Sequence, residues 1–187
     1  MIAGHFCWCC NPKGQIRIPK ITLTTMTKLE LVKQAYSRLV NNIYKSFDKI
    51  VAAMPDERLD MKPSPDNMSF KQIAVHVYQT ALMVGHSMKT GQMDKADLQL
   101  IPFSVDDVHS AEQIVDYGNK VKAHLQQIVE AMNEEDAVKP IATTFGVTMN
   151  PLRMLNVLQE EAIHHRGQLT ICLRMEGIKP PSIYDYS

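Results

Sequence analysis

Glu161 and His165 stand four residues apart in the run Glu161-Ala162-Ile163-His164-His165-Arg166-Gly167-Gln168, inside a pattern that is otherwise an apolar helix face. His76 lies far upstream in a second pattern of the same kind. On a helix an i, i+4 pair projects from one face one turn apart, so a carboxylate and an imidazole can reach one ion while a second helix supplies the third ligand. Burying an unpaired carboxylate is costly, so Glu161 needs a cation, an arginine or a proton beside it. A divalent ion shared with His76 meets that need. A Glu161–His165 hydrogen bond at the rim of the apolar stripe, with His76 bonded to a backbone carbonyl or a tyrosine, meets it without metal.

These residues must be positioned by helices. Thr27 with Glu30 makes a capping box, and Leu29, Val32, Tyr36, Leu39, Ile43, Phe47, Ile50 and Met54 follow at steps of three and four until Pro55. Residues 55–68, rich in Pro and Asp, read as a connection. Ser69 with Gln72 opens a second helix, whose row Phe70, Ile73, Val77, Ala81 and Val84 runs to a stop at Gly91 and includes His76. A third helix from about Ser110 carries Ile114, Tyr117, Val121, Leu125, Ile128 and Met132, after a longer crossover over 92–107.

Residues 139–149 lean toward β structure around Gly146 and predict a short hairpin or extended segment. The fourth helix opens with Asn150 as cap and Pro151 at its first position, and closes at Gly177 before Pro180-Pro181. Its apolar row is Met154, Leu158, Ala162, Leu169, Cys172 and Leu173, with Glu161 and His165 within or beside it. Four helices with one apolar stripe each can bury those stripes only against one another. The fold class is therefore all-α, a four-helix bundle.

Bulk properties narrow the function. A chain of 187 residues suits one core. Twenty basic and twenty acidic residues balance, and no run of either sign interrupts the chain, which argues against nucleic-acid and membrane partners. No apolar stretch is long enough to span a bilayer and the amino terminus lacks the pattern of a signal peptide, so a cytoplasmic protein is expected. Of the four cysteines, Cys7, Cys9 and Cys10 crowd the first ten residues and Cys172 sits in a helix pattern, which gives no disulfide framework and no tetrahedral zinc motif. Residues 1–25 have no helical or strand period. They are expected to lie outside the domain of residues 26–187, with Met26 a candidate natural start.

The run from Glu161 through Leu169, followed by Leu173-Arg174-Met175-Glu176-Gly177-Ile178-Lys179-Pro180-Pro181, resembles the signature of the DinB-like superfamily, whose His-His-Arg-Gly-Gln core is matched in full. Glu57 through Pro65, leading into Ser69-Phe70-Lys71-Gln72-Ile73-Ala74-Val75-His76, resembles that family's first loop and second helix. The similarity spans about residues 27–184. It implies a four-helix bundle of the DinB-like type, commonly a homodimer, with a divalent metal held by one residue of the second helix and two of the fourth. His76 and His165 fall on the family's ligand positions, and Glu161 stands where a third His is usual. Two His and one carboxylate serve catalytic zinc in some hydrolases and non-haem iron in oxygenases, so zinc, nickel and iron all remain open.

Some neighbours weigh differently. Glu160 and His164 form a second i, i+4 pair beside Arg153, Gly167 and Arg174, which reads as a solvated or subunit-facing ion pair. Gly167 inside a helix suggests close approach of another backbone, within the bundle or across a dimer. Arg166 is a candidate partner for a buried acid or a substrate anion. His86 lies roughly 280° round the helix from His76 and should point elsewhere. His109 and His124 lack a matching partner, and surface roles are expected for them.

Two function classes follow. The resemblance implies a metal-dependent enzyme on a small-molecule substrate, either a transferase in which the ion activates a low-molecular-weight thiol or a hydrolase in which it activates water. The other class is a non-enzymatic, stress-associated bundle that binds metal or an apolar ligand. An enzyme requires an open coordination position beside a pocket, whereas a structural site is closed by protein ligands.

Overall fold

Three of the bundle's four helices begin on a reciprocal capping box, because each has a hydroxyl followed three residues later by Glu or Gln. Thr27 exchanges hydrogen bonds with Glu30, Ser69 with Gln72, and Ser110 with Gln113. The fourth begins where the Asn150 side chain accepts the Arg153 N–H, with Pro151 at the first helical position, where a missing N–H costs nothing. The computed structural model describes residues 25–184. Expectations about Cys7, Cys9, Cys10 and a start at Met26 rest on residues 1–24, outside the described residues.

The first bundle helix is three segments in line: α1 (Lys28–Arg38), a π-helical turn (Leu39–Tyr44) and α2 (Lys45–Val51). A short 3-10 turn (Asp56–Arg58) follows, then α3 (Phe70–Thr90), the crossover with its own 3-10 turn (Lys95–Leu100), α4 (Ala111–Ala131), and α5 (Pro151–Met175). The expected row on the first helix is buried from Leu39 to Met54. The π turn was not legible in that row. It adds a residue to one turn, which lets the adjacent Ile43 and Tyr44 both face inward.

Gly91 ends α3 at φ 83°, a left-handed position that disfavours side chains with a Cβ. Two-residue strands β1 (Ile141–Ala142) and β2 (Thr148–Met149) pair antiparallel around Gly146, as the composition predicts. The Ala142 N–H donates to the Gly91 carbonyl, and the Met93 N–H donates to the Ala142 carbonyl, so the hairpin is fastened to the end of α3.

α3 packs against α4 on one side and α5 on the other, while the first helix closes the ring by touching α4 and α5. Tyr78 lies over Gly118, and seven residues further on Gly85 lies against Leu125, so α3 and α4 run parallel. Parallel neighbours need a connection that travels the length of the bundle, which is why the crossover is long. A Cβ at Gly118 would stand 2.4 Å from the Tyr78 ring. Glycine there is what admits the ring. Among the described residues no helix is long and apolar enough to cross a membrane.

Candidate metal centre

Because α3 and α5 are adjacent, His76 on one meets Glu161 and His165 on the other. Glu161 Oε1 lies 2.9 Å from His76 Nε2 and 2.9 Å from His165 Nε2. One donor atom from each residue falls within 4.8 Å of the other two. The imidazole rings stand edge to face, with centroids 5.1 Å apart. Among the described residues this is the only group of three or more His, Cys, Asp or Glu side chains so arranged. The spaced pair Glu161 and His165 and the upstream His76 are therefore brought together.

The protonation pattern tests whether an ion fits. The Gln168 amide nitrogen faces His164 Nε2 at 3.2 Å, which turns its oxygen toward His165 Nδ1 at 2.7 Å. An amide oxygen only accepts, so Nδ1 carries the hydrogen, and a neutral His165 presents a bare lone pair at Nε2. That lone pair faces a carboxylate oxygen, another acceptor. Two acceptors in contact call for a proton or a cation between them. Donors sharing an ion at roughly 2.0–2.2 Å stand about 3–3.5 Å apart, so the cluster needs only slight spreading to hold one. The residues fit a divalent metal.

Exposure of the side chains is graded: His165 is 8% exposed, Glu161 30% and His76 43%. The cluster is seated on the core at His165 and opens to solvent past His76. On the far side of Gln168 lies a cavity of about 180 Å³ lined by Pro63, Asn67, Met68, Ile73, Gln168 and Ile171, none of them a cluster residue. Gln168 thus both lines this cavity and holds His165.

Behind the cluster is a polar group that spacing did not reveal. The Asp48 carboxylate accepts from the Tyr78 hydroxyl at one oxygen and from Lys122 Nζ at the other. Burial, then the Asp48 charge and its hydrogen bond, hold the Tyr78 phenol well above its ordinary range. Tyr44 is 1% exposed, and its hydroxyl makes no hydrogen bond among the described residues. Burial raises its pKa, with the charges of Asp48 and Glu161 adding to the effect. The only local sign of Tyr44 is an apolar-aromatic pair, Ile43-Tyr44, where the period allows one inward residue.

Other expectations need correction. Among the described residues Arg166 meets no acid; its Nη1 donates to the buried Ser46 Oγ at 2.8 Å, tying α5 to α2. Gly167 has no atom within 4 Å of where its Cβ would stand, so nothing inside the bundle requires a glycine there. His86 does point away from the cluster, but His124 is not a surface residue without a partner. Their rings stack with centroids 5.8 Å apart, and burial, followed by the charges of His86 and Lys89, lowers the His124 pKa. The residues lie on parallel helices in a register that sequence spacing cannot give. Glu160 and His164 are both exposed, as expected, but they do not pair: Glu160 meets Arg153 loosely at 3.9 Å, and His164 faces Gln168.

The sequence profile of the DinB family matches residues 27–187. No curated protein matches the chain. Among solved structures, a DinB-like protein from Bacillus subtilis is 17% identical, with a TM-score of 0.64 over 80% of this chain and 97% of the other. A DinB-like protein from Bacillus cereus is 24% identical, with a TM-score of 0.63 over 80% of this chain and 95% of the other. At these identities the likeness supports the fold.

Proposed function

Since the chain belongs to the DinB family, we propose that it is a divalent-metal-dependent enzyme acting on a small molecule, with His76 Nε2, Glu161 and His165 Nε2 as its metal ligands. The observation that carries this reading is the contact of one carboxylate oxygen with two imidazole nitrogens, one of them fixed as an acceptor by Gln168. A bound ion would supply Lewis acidity and lower the pKa of a thiol or water, which makes thiol transfer and hydrolysis the two reactions the site suits.

The protein's own part is to hold and expose. His165 anchors the site against the core, and Gln168 sets its tautomer. His76, 43% exposed, leaves one side of the cluster accessible to a small substrate or thiol. Three protein ligands with an exposed edge favour the enzyme over a closed structural site. Elemental analysis of the purified protein and of the His76→Ala and His165→Ala variants tests the assignment. Stoichiometric zinc, nickel or iron in the parent and loss in both variants is expected; retention in both would overturn it.

The same reading includes a homodimer formed through the outer face of α5. Ile163, Ile171 and Met175 are 44%, 54% and 55% exposed along that face, with Gly167 bare between the two isoleucines. An apolar helix stripe interrupted by a glycine suits close approach of a second helix.

A further inference from the structure

We infer that His164 is a positioning residue of this centre: its Nε2 accepts a hydrogen of the Gln168 amide and so fixes which nitrogen of His165 is free to bind. The inference rests on the metal reading above. It adds to the site a residue that makes no hydrogen bond to His76, Glu161 or His165 among the described residues.

Helix spacing brings the three side chains together. On α5 Gln168 stands four residues after His164 and three after His165, so one amide can reach both rings. Its nitrogen lies 3.2 Å from His164 Nε2 and its oxygen 2.7 Å from His165 Nδ1. Among the described residues the Gln168 side chain makes no other hydrogen bond, and neither does the His164 ring. The two imidazoles also meet edge to face, with centroids 4.9 Å apart.

An amide has one end that donates and one that accepts, so its two contacts are not independent. With the nitrogen outward, His164 Nε2 is the acceptor, His165 Nδ1 carries its hydrogen, and the His165 Nε2 lone pair faces Glu161 Oε1 at 2.9 Å. Turned over, the amide would accept a hydrogen from His164 Nε2 and donate to a bare His165 Nδ1. The His165 hydrogen would then stand on Nε2, pointing at Glu161 Oε1, where it blocks the ligand nitrogen. With no ion present the Glu161 carboxylate favours that second form, and the hold of His164 on the amide nitrogen opposes it. His164 is exposed, whereas the His165 side chain is 8% exposed. The chain His164–Gln168–His165 therefore carries a hydrogen-bond preference from the surface to a buried ligand, in the way outer partners orient metal-binding imidazoles generally.

The test replaces His164 with a side chain that neither accepts nor donates (His164→Ala), one that only accepts (His164→Glu) and one that only donates (His164→Lys). Nitrogen NMR of the His165 ring in chelator-treated protein, at a pH above the ordinary histidine range, reads the tautomer. Competition with a chelator reads Zn²⁺ affinity. We expect the Nδ1–H tautomer to dominate in the parent and in His164→Glu, a mixture in His164→Ala, and the Nε2–H tautomer in His164→Lys. Zn²⁺ affinity should fall about 2–10-fold in His164→Ala, the worth of one hydrogen bond, fall further in His164→Lys, and recover in His164→Glu. Charge alone would rank the affinities in the same order, so each substitution is repeated in a Gln168→Met background. There only the charge effect survives, and His164→Ala should change affinity no further. An unchanged His165 tautomer in His164→Ala and His164→Lys would overturn the inference, as would a His164→Ala effect undiminished by Gln168→Met. A parent protein that binds no Zn²⁺ would instead overturn the metal reading, and the tautomers of the metal-free proteins would still decide the role of His164.

Discussion

The amide oxygen of Gln168 sits 2.7 Å from His165 Nδ1 and decides which nitrogen of that imidazole is free to bind. Gln168→Met keeps the side-chain length and removes the amide oxygen. Metal affinity should fall about 10–100-fold. Stability should stay within roughly 0.5 kcal/mol, because the residue is only part-buried. Nitrogen NMR of the His165 ring should show one dominant tautomer in the parent and a mixture in the variant. Equal affinity in the two proteins would remove Gln168 from the site.

Glu161 is the one proposed ligand at which this chain departs from the three-histidine set. Glu161→His should still bind metal, and Glu161→Ala should bind much more weakly. Imidazole donates less negative charge than carboxylate, so the histidine variant should make a bound thiol or water more acidic. Affinity titrated against pH in the three proteins checks this. Identical curves would place Glu161 outside the coordination shell.

Gly118→Ala should be among the more damaging single substitutions in the bundle. Its Cβ would fall 2.4 Å from the buried Tyr78 ring, which also reaches Asp48. Overpacking of this kind costs about 1–3 kcal/mol, or a fall in Tm of several degrees for a chain of this size. A melt recorded by circular dichroism reads it directly, and an unchanged Tm would mean that Tyr78 relaxes freely.

Alkaline pH should unfold the protein through its buried phenols. Tyr44 and Tyr78 are held well above the ordinary value, and burial pushes Tyr117 up to about 12. The unfolded chain releases these protons near pH 10 while the folded one keeps them. Stability is therefore complete below about pH 10 and declines above it, by about 1.4 kcal/mol per pH unit for each of the two fully buried phenols. Tyrosinate absorbance and helicity, followed together, should show these phenols ionising as the helices are lost. Ionisation with the helices intact would contradict the burial.

Gly167→Arg separates fold from assembly. With no atom within 4 Å of the glycine's Cβ position, the bundle should accept the larger side chain, and helix propensity should improve. A dimer packed through Ile163, Gly167 and Ile171 should dissociate. Light scattering behind size exclusion gives the mass: dimer in the parent and monomer in the variant is expected, and two equal dimers would move the interface elsewhere.

The helix ends were legible because capping is local: Thr27, Ser69, Asn150 and Gly91 each act within a few residues of themselves. The cluster of His76, Glu161 and His165 was legible in part for the same reason, since Glu161 and His165 share one helix, but His76 needed the family pattern to join them. What stayed hidden depends on register between helices. Arg166 meeting Ser46, His86 stacking on His124, and Asp48 joining Tyr78 to Lys122 link residues 30 to 120 positions apart. No periodicity within one segment encodes those meetings. The π turn was hidden for another reason: its row of apolar residues still fits steps of three and four.

His76 and Glu161 are separated by 85 positions along the chain, and two of the three proposed ligands ride on α5. The first three bundle helices carry only His76 of that set. During synthesis, α5 emerges after them, so the cluster is complete only when the last helix docks. Contacts of such long sequence separation pay their loop-closure entropy late in folding. Metal held at the proposed site would therefore report finished molecules: an intermediate with α5 undocked retains His76 alone, and occupancy should follow the docking of that one helix more closely than total helix content.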